Sequence, residues 1–346
     1  MLKEFLSFIF KLQIPKDGRK YRTSRKVFLT LVLFFLMVPV TFISSAISGT
    51  IEQAINPNLG TEGPKTISEE VANSEVDNSE ALSVLIRSSV TLFALGVIFA
   101  PIVEELVFRR GLIRQDIPYY FLVIGFIVNT NFSGAQLLPQ GLVDTISSSV
   151  LFEILYAFTK AIIIIGGFYI LGKVVANSFR DLNSSIINFG NNNVKIFVVL
   201  TSVLFALVHA NNNGFLTSGQ ALNKFYLIPL IVIPQLVSGF ELAYLAIKFG
   251  IKYSILSHSL NNFVLVFLTS LFAGLTALGG IDILDNPNIT EAELISQGGP
   301  ALVGGLGMAL LVIVVGGAIL FSWIYALVTF NKNLEGGESK ATRKTL

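Results

Sequence analysis

The sequence predicts an all-α fold: a polytopic transmembrane helix bundle of about eight spans, with both termini cytoplasmic. Three observations predict it. First, 53% of the 346 residues are hydrophobic and only 13% charged, where a soluble domain carries about a quarter charged; mean hydropathy is +0.71. Second, apolar windows of spanning length fall near 27–47, 84–108, 118–135, 149–172, 195–213, 225–247, 253–275 and 301–329, and backbone polar groups in lipid force such runs into helices. Third, the connecting segments alternate between basic and acidic, as orientation by the positive-inside rule requires.

In chain order, residues 1–26 carry eight Lys and Arg and read as a basic cytoplasmic tail. Leu2, Phe5, Phe8, Ile9 and Leu12 among its lysines suggest a short helix in the membrane interface, or else a partly disordered arm. The first span, 27–47, is too long for the apolar region of a removable signal. Residues 48–80 hold seven acids against Lys65 alone and read as an acidic external loop. Residues 84–275 form the helical core. The loop near 136–148 contributes only Asp144, and 276–300 holds four acids and no Lys or Arg, so both are external. The basic sets Arg109/Arg110/Arg114, Lys173/Arg180/Lys195 and Lys248/Lys252 are internal. The last span is 301–329, and 330–346 is a cytoplasmic tail.

Several chemistries are excluded. The chain has no Cys, hence no disulfide, thiolate nucleophile or Cys-type zinc site. A net charge of +2 gives no electrostatic footprint for a nucleic-acid partner.

Ionisable side chains inside a span cost roughly 2.5–3.5 kcal/mol each on insertion scales, so each needs a reason. In the second window, Glu105 and Arg109 are spaced i, i+4 and can pair on one face. Glu104 points about 100° away and has no local partner; a carboxylate so placed in an apolar setting is a good proton acceptor near neutral pH. Alternatively, both glutamates snorkel to the cytoplasmic interface that the arginines mark. The chain contains only two histidines, and both fall in spans. Phe205 precedes His209 by one turn and can fix its ring. Asn262 follows His258 by one turn on the same face, and together they offer two donors for a developing negative charge. Glu153, Lys160 and Glu241 are further charges in apolar windows, read as an interhelical pairing or as the lining of an ion path in a transporter.

These elements resemble the signature of the CAAX protease and bacteriocin-processing (CPBP/Abi) family of intramembrane peptidases. That signature is Glu-Glu-x-x-x-Arg, then Phe-x-x-x-His, then His-x-x-x-Asn, each on its own helix. Here it reads Glu104-Glu105-x-x-x-Arg109, Phe205-x-x-x-His209 and His258-x-x-x-Asn262, with Phe108 and Gly111 flanking the arginine, over residues 84–275. The 105 residues from Glu104 to His209 exceed the family's usual spacing, so about 118–194 reads as an inserted helical hairpin. Depth sets a further condition. Glu104 lies ~8 Å of helix rise from Arg109, whereas His209 lies ~21 Å from Lys195. The groups can meet only if helices tilt or the fifth begins below the membrane surface.

The resemblance implies a membrane-embedded endopeptidase in which Glu104 activates water that His209 positions. His258 and Asn262 would bind the oxyanion, with Glu105 held by Arg109 and Phe205 in support. No cofactor is required on that scheme; a zinc alternative would use His209, His258 and Glu104 as ligands. A second alternative is a non-catalytic bacteriocin-immunity or regulatory scaffold. The implied partners are a peptide or protein substrate at the membrane and the lipid bilayer. The implied location is a plasma membrane, and Asn/Ile/Lys-rich usage points to a bacterium.

Overall fold

The computed structural model describes residues 1–55, 90–131, 149–209 and 232–277. The expected external loop 276–300, last span 301–329 and C-terminal tail 330–346 lie outside these residues, apart from Thr276 and Ala277. The ordered elements are α1 (Leu2–Lys11), α2 (Thr23–Ile55), a π-helical turn (Phe93–Phe99), α3 (Ala100–Phe108), α4 (Arg110–Ile113), α5 (Ile117–Asn131), α6 (Val150–Ser178), α7 (Arg180–Asn192), α8 (Val194–His209), α9 (Ile233–Phe249) and α10 (Ile251–Ala277). Among the described residues there is no strand.

Among the described residues, three segments are long and apolar enough to cross a membrane: Thr23–Thr41, Val90–Ile113 and Val150–Ser178. The pair α7–α8 makes a fourth if it counts as one broken span. Eight spans therefore remain an expectation. The break is sharp, because α7 and α8 meet at 86°. Helix α7 gives no spanning signal, because its mixture of Asn, Ser, Asp and apolar residues makes one apolar stripe on a polar helix.

Burial centres on α9. Leu242, Ala243, Tyr244, Leu245 and Ala246 are almost wholly inaccessible, and α9 packs against α8, α10 and α2. Its ends follow simple rules: Pro234 stands in the first turn, and Gly250 closes the helix at φ +103°, which only glycine adopts without strain. Phe5 and Phe8 of α1 pack on Tyr244, with ring centroids 5.2 and 5.6 Å away. Leu2, Leu6 and Phe10 face outward. The N-terminal segment is thus a helix with one apolar face on the protein and another left to its surroundings. Below it, Lys248 Nζ lies 2.5 Å from Glu4 Oε2, and Gly18 N–H donates to the Lys248 carbonyl.

Two boundaries differ from the sequence reading. Helix α2 runs to Ile55, eight residues into the segment expected as an acidic loop, with Pro39 inside it; the rest of that loop, 56–80, lies outside the described residues. Helix α6 extends to Ser178 rather than ending near 172. Helices α5 and α6 pack along each other antiparallel, since Gly125 faces Ile165 and Phe168 while Gly172 faces Pro118 and Phe121. Most of both helices falls within 118–194, the stretch expected as an inserted hairpin. Asp116 caps α5 by accepting from Tyr119 N–H at 3.0 Å. Few side chains of α6 are buried, and Ile162, Ile163, Ile170 and Val174 face outward, so the hairpin forms a wall at the edge of the bundle.

Candidate functional site

The site is assembled from three helices. Residues Glu104, Glu105 and Arg109 come from α3 and the residue that joins it to α4. Phe205 and His209 end α8. His258 and Asn262 lie on α10, behind Ser254, at i, i+4 and i+8 along one stripe.

Glu105 is the buried hub. Its side chain and that of Arg109 have no exposed area, and Arg109 Nε lies 3.5 Å from Glu105 Oε2. Glu105 Oε1 lies 3.1 Å from His258 Nδ1, and the Ser254 hydroxyl donates to Oε2. The guanidinium makes no hydrogen bond among the described residues; instead it lies over the Phe205 ring, 4.9 Å from the centroid, a cation–π contact. The expectation that both glutamates snorkel to an interface is therefore replaced: Glu105 and Arg109 are core groups. Gly111 is needed for packing, since a methyl there would strike the Tyr119 ring.

Glu104 does have partners, supplied by other helices. Its Oε2 lies 3.4 Å from His209 Nε2 and 3.8 Å from His258 Nε2, yet makes no hydrogen bond within the described protein. The two adjacent carboxylates, though turned apart, flank one imidazole: Glu105 at Nδ1 and Glu104 at Nε2. Phe205 stands beside both rings, 4.4 Å from His209 and 5.5 Å from His258.

The tautomer of His209 follows from its neighbour. Nδ1 lies 2.8 Å from the Phe205 carbonyl, which can only accept, so Nδ1 carries the proton. Neutral His209 then presents a lone pair from Nε2 toward Glu104. Two acceptors so close share a proton donor between them: a proton on Nε2, or the two hydrogens of one water.

Asn262 is placed differently from the expectation. Its Nδ2 donates to the carbonyl of Gly96 at 2.8 Å, inside the π-helical turn that leads into α3. One amide N–H is thus committed to holding the side chain, and the other remains. Residues missed from sequence are Ser254 and Ser257, the latter donating to Glu241 Oε1 at 2.7 Å. The spacing of Ser254 four residues before His258 was the available signal. Glu241 is buried on α9, and its carboxylate is answered by Ser257 rather than by a cation. Glu153 and Lys160 sit half-buried on α6. Among the described residues no group of three or more His, Cys, Asp and Glu is arranged to hold a metal ion.

Residues 178–264 match the family model described as Type II CAAX prenyl endopeptidase Rce1-like. The matched stretch, about a quarter of the chain, contains His209, His258 and Asn262; Glu104, Glu105 and Arg109 lie before it. The chain is thus similar there to a family of membrane-embedded CAAX endopeptidases. No curated protein and no solved structure matches it.

Proposed function

We propose that this protein is an intramembrane endopeptidase that hydrolyses a peptide bond in a membrane-associated peptide or protein. The observation that carries the reading is the position of Glu104 Oε2, buried between the Nε2 atoms of His209 and His258 without a hydrogen bond of its own. A water donating one hydrogen to Glu104 and the other to His209 Nε2 has its free lone pair turned away from both. Glu104 takes the proton as that oxygen attacks the scissile carbonyl, then returns it to the leaving amine.

His258 and Asn262 meet the negative charge on the carbonyl oxygen. His258 donates from Nε2 only when both ring nitrogens carry protons, and Glu105 is then its counterion across Nδ1. The amide N–H of Asn262 not used on Gly96 is the second donor. Arg109 and Ser254 hold Glu105, and Phe205 keeps the two imidazoles apart at fixed tilt.

The test compares the membrane and secreted peptidomes of cells carrying the wild-type chain with those carrying Glu104→Gln. Peptides that vanish in the variant, with intact precursors accumulating, are the expected result. Identical peptidomes, with the variant folded and present in the membrane at wild-type level, sink the proposal and favour a scaffold or immunity role.

A further inference from the structure

Two cavities meet at Tyr169, on the side of α3 away from Glu105. One, of about 530 Å³, is an apolar groove between α3, α5 and α6, lined by residues such as Ile102, Leu106, Leu122, Ile162 and Gly166. The other, of about 410 Å³, is polar and bordered by Arg110, Arg114, Asp116 and Lys173. Arg110 and Tyr169 line both. Arg110 lies over the Tyr169 ring at 4.8 Å and Lys173 at 5.3 Å, so the tyrosine joins the oily part to the charged part.

The charges do not balance. Arg114 Nε lies 2.9 Å and Arg110 Nη2 3.5 Å from the same carboxylate, Asp116. Among the described residues at this pocket, three cations thus face one buried anion. The groove runs from Phe158 to Tyr169 along α6, roughly 16 Å of helix rise, about half of a ~30 Å hydrocarbon core. That is the depth of one leaflet. The glycines of α6 make the same point. Gly172 is closed against Phe121 and Pro118, whereas a Cβ on Gly166 would meet nothing within 4 Å. The protein's own packing does not require glycine there, and the space lies in the groove.

We propose that the joined cavities bind one anionic phospholipid, with an acyl chain in the groove and its phosphate among Arg110, Arg114 and Lys173. Charge selects it: a basic pocket between membrane helices suits a headgroup of net negative charge, while a zwitterionic headgroup brings its own cation to a site that already has an excess. The acyl chain lies against Val103 and Leu106, on the helix that carries Glu104 and Glu105, so the lipid braces the back of α3. The site stands independently of the peptidase reading.

The test is native mass spectrometry of the full chain, released from nanodiscs containing equal dioleoyl phosphatidylglycerol and dioleoyl phosphatidylcholine. Thermal unfolding is followed alongside in each lipid alone. Wild type is expected to retain phosphatidylglycerol preferentially and to melt higher in it. Arg110→Gln with Lys173→Gln should lower that preference about tenfold or more. Gly166→Phe fills the groove without touching the basic pocket and should lower retention by itself, so the proposal remains testable if the double variant fails to fold. Equal retention of the two lipids overturns it. So does a preference that survives all three substitutions, which would mark general attraction to a basic surface. Stabilisation by glycerophosphoglycerol, which has no acyl chains, to the same extent as by the lipid would remove the groove from the proposal and overturn it too.

Discussion

Glu105 Oε1 lies 3.1 Å from Nδ1 of His258, which follows it by 153 residues in the chain, while its other oxygen answers Ser254 and Arg109. One carboxylate thus ties α3 to α10 and to the buried guanidinium. Glu104, next to it, makes no hydrogen bond through Oε2 within the described protein and meets only the two imidazoles, at 3.4 and 3.8 Å. The two glutamates should fail differently. Glu105→Ala strands a buried cation, a loss on the order of 3–5 kcal/mol, and should be read as lowered thermal stability and yield in detergent. Glu104→Gln should melt within a degree or two of wild type and lose nearly all turnover. A Glu104→Gln protein with full peptidase activity would remove the base from the scheme.

Asn262 should report on rate rather than on folding. Deleting one oxyanion donor typically lowers kcat ~10²–10³-fold; Asn262→Ala is expected in that range with KM little changed, since the donor acts on charge that forms only in the transition state. Steady-state kinetics on a cleaved reporter peptide will decide it. A rise in KM at constant kcat would assign Asn262 to ground-state binding instead.

The zinc alternative has a direct test. His209 and His258 converge on Glu104 at 3.4 and 3.8 Å; on the metal-free scheme, turnover in the purified protein should persist in an excess of EDTA or phenanthroline. Inhibition reversed by added Zn²⁺ would overturn the metal-free scheme.

A pH effect is expected at the N-terminal helix. Burial pushes the Glu4 carboxyl up, but the Lys248 ammonium and the Lys16 N–H pull it down further, leaving it below its ordinary value. A carboxylate depressed in the folded state stabilises the docked helix above its unfolded pKa, and that contribution is lost as pH falls through the folded value. The docking of α1 should therefore hold at neutral pH and weaken only as pH falls below the ordinary glutamate range. The chain has no Cys, so a single fluorophore on Leu2→Cys can follow release. Glu4→Gln should show no acid transition. Release already complete at neutral pH would contradict the expectation.

The helices and motif residues were legible in the sequence because their signals are local: apolar runs of spanning length, and pairs four residues apart on one face. Relationships that depend on how helices rotate against one another were not. Nothing near Glu104 in sequence announces that His209 stands 3.4 Å from it. Ser254 and Ser257 looked like ordinary small residues of a membrane helix, and only the packing of α9 and α3 beside α10 gives their hydroxyls carboxylates to bind. Arg109 looked like an interfacial cation because arginines usually end spans; its burial over Phe205 is a tertiary fact. The docked face of α1 was half visible as an amphipathic stripe, without any indication that Tyr244 would receive it.

The π-helical turn at Phe93–Phe99 has one more consequence. Its closing bond runs from Ala100 N–H to the Leu95 carbonyl, so the turn holds one residue more than an α-helical one. Removing a single amino acid there would restore ordinary winding; the wide turn already absorbs the extra residue, so Glu104 would keep its heading while the Gly96 carbonyl shifted relative to Asn262. The polypeptide's tolerance at this point is therefore a matter of residue count more than residue type. A deletion should loosen the hold on Asn262 where many substitutions leave it intact.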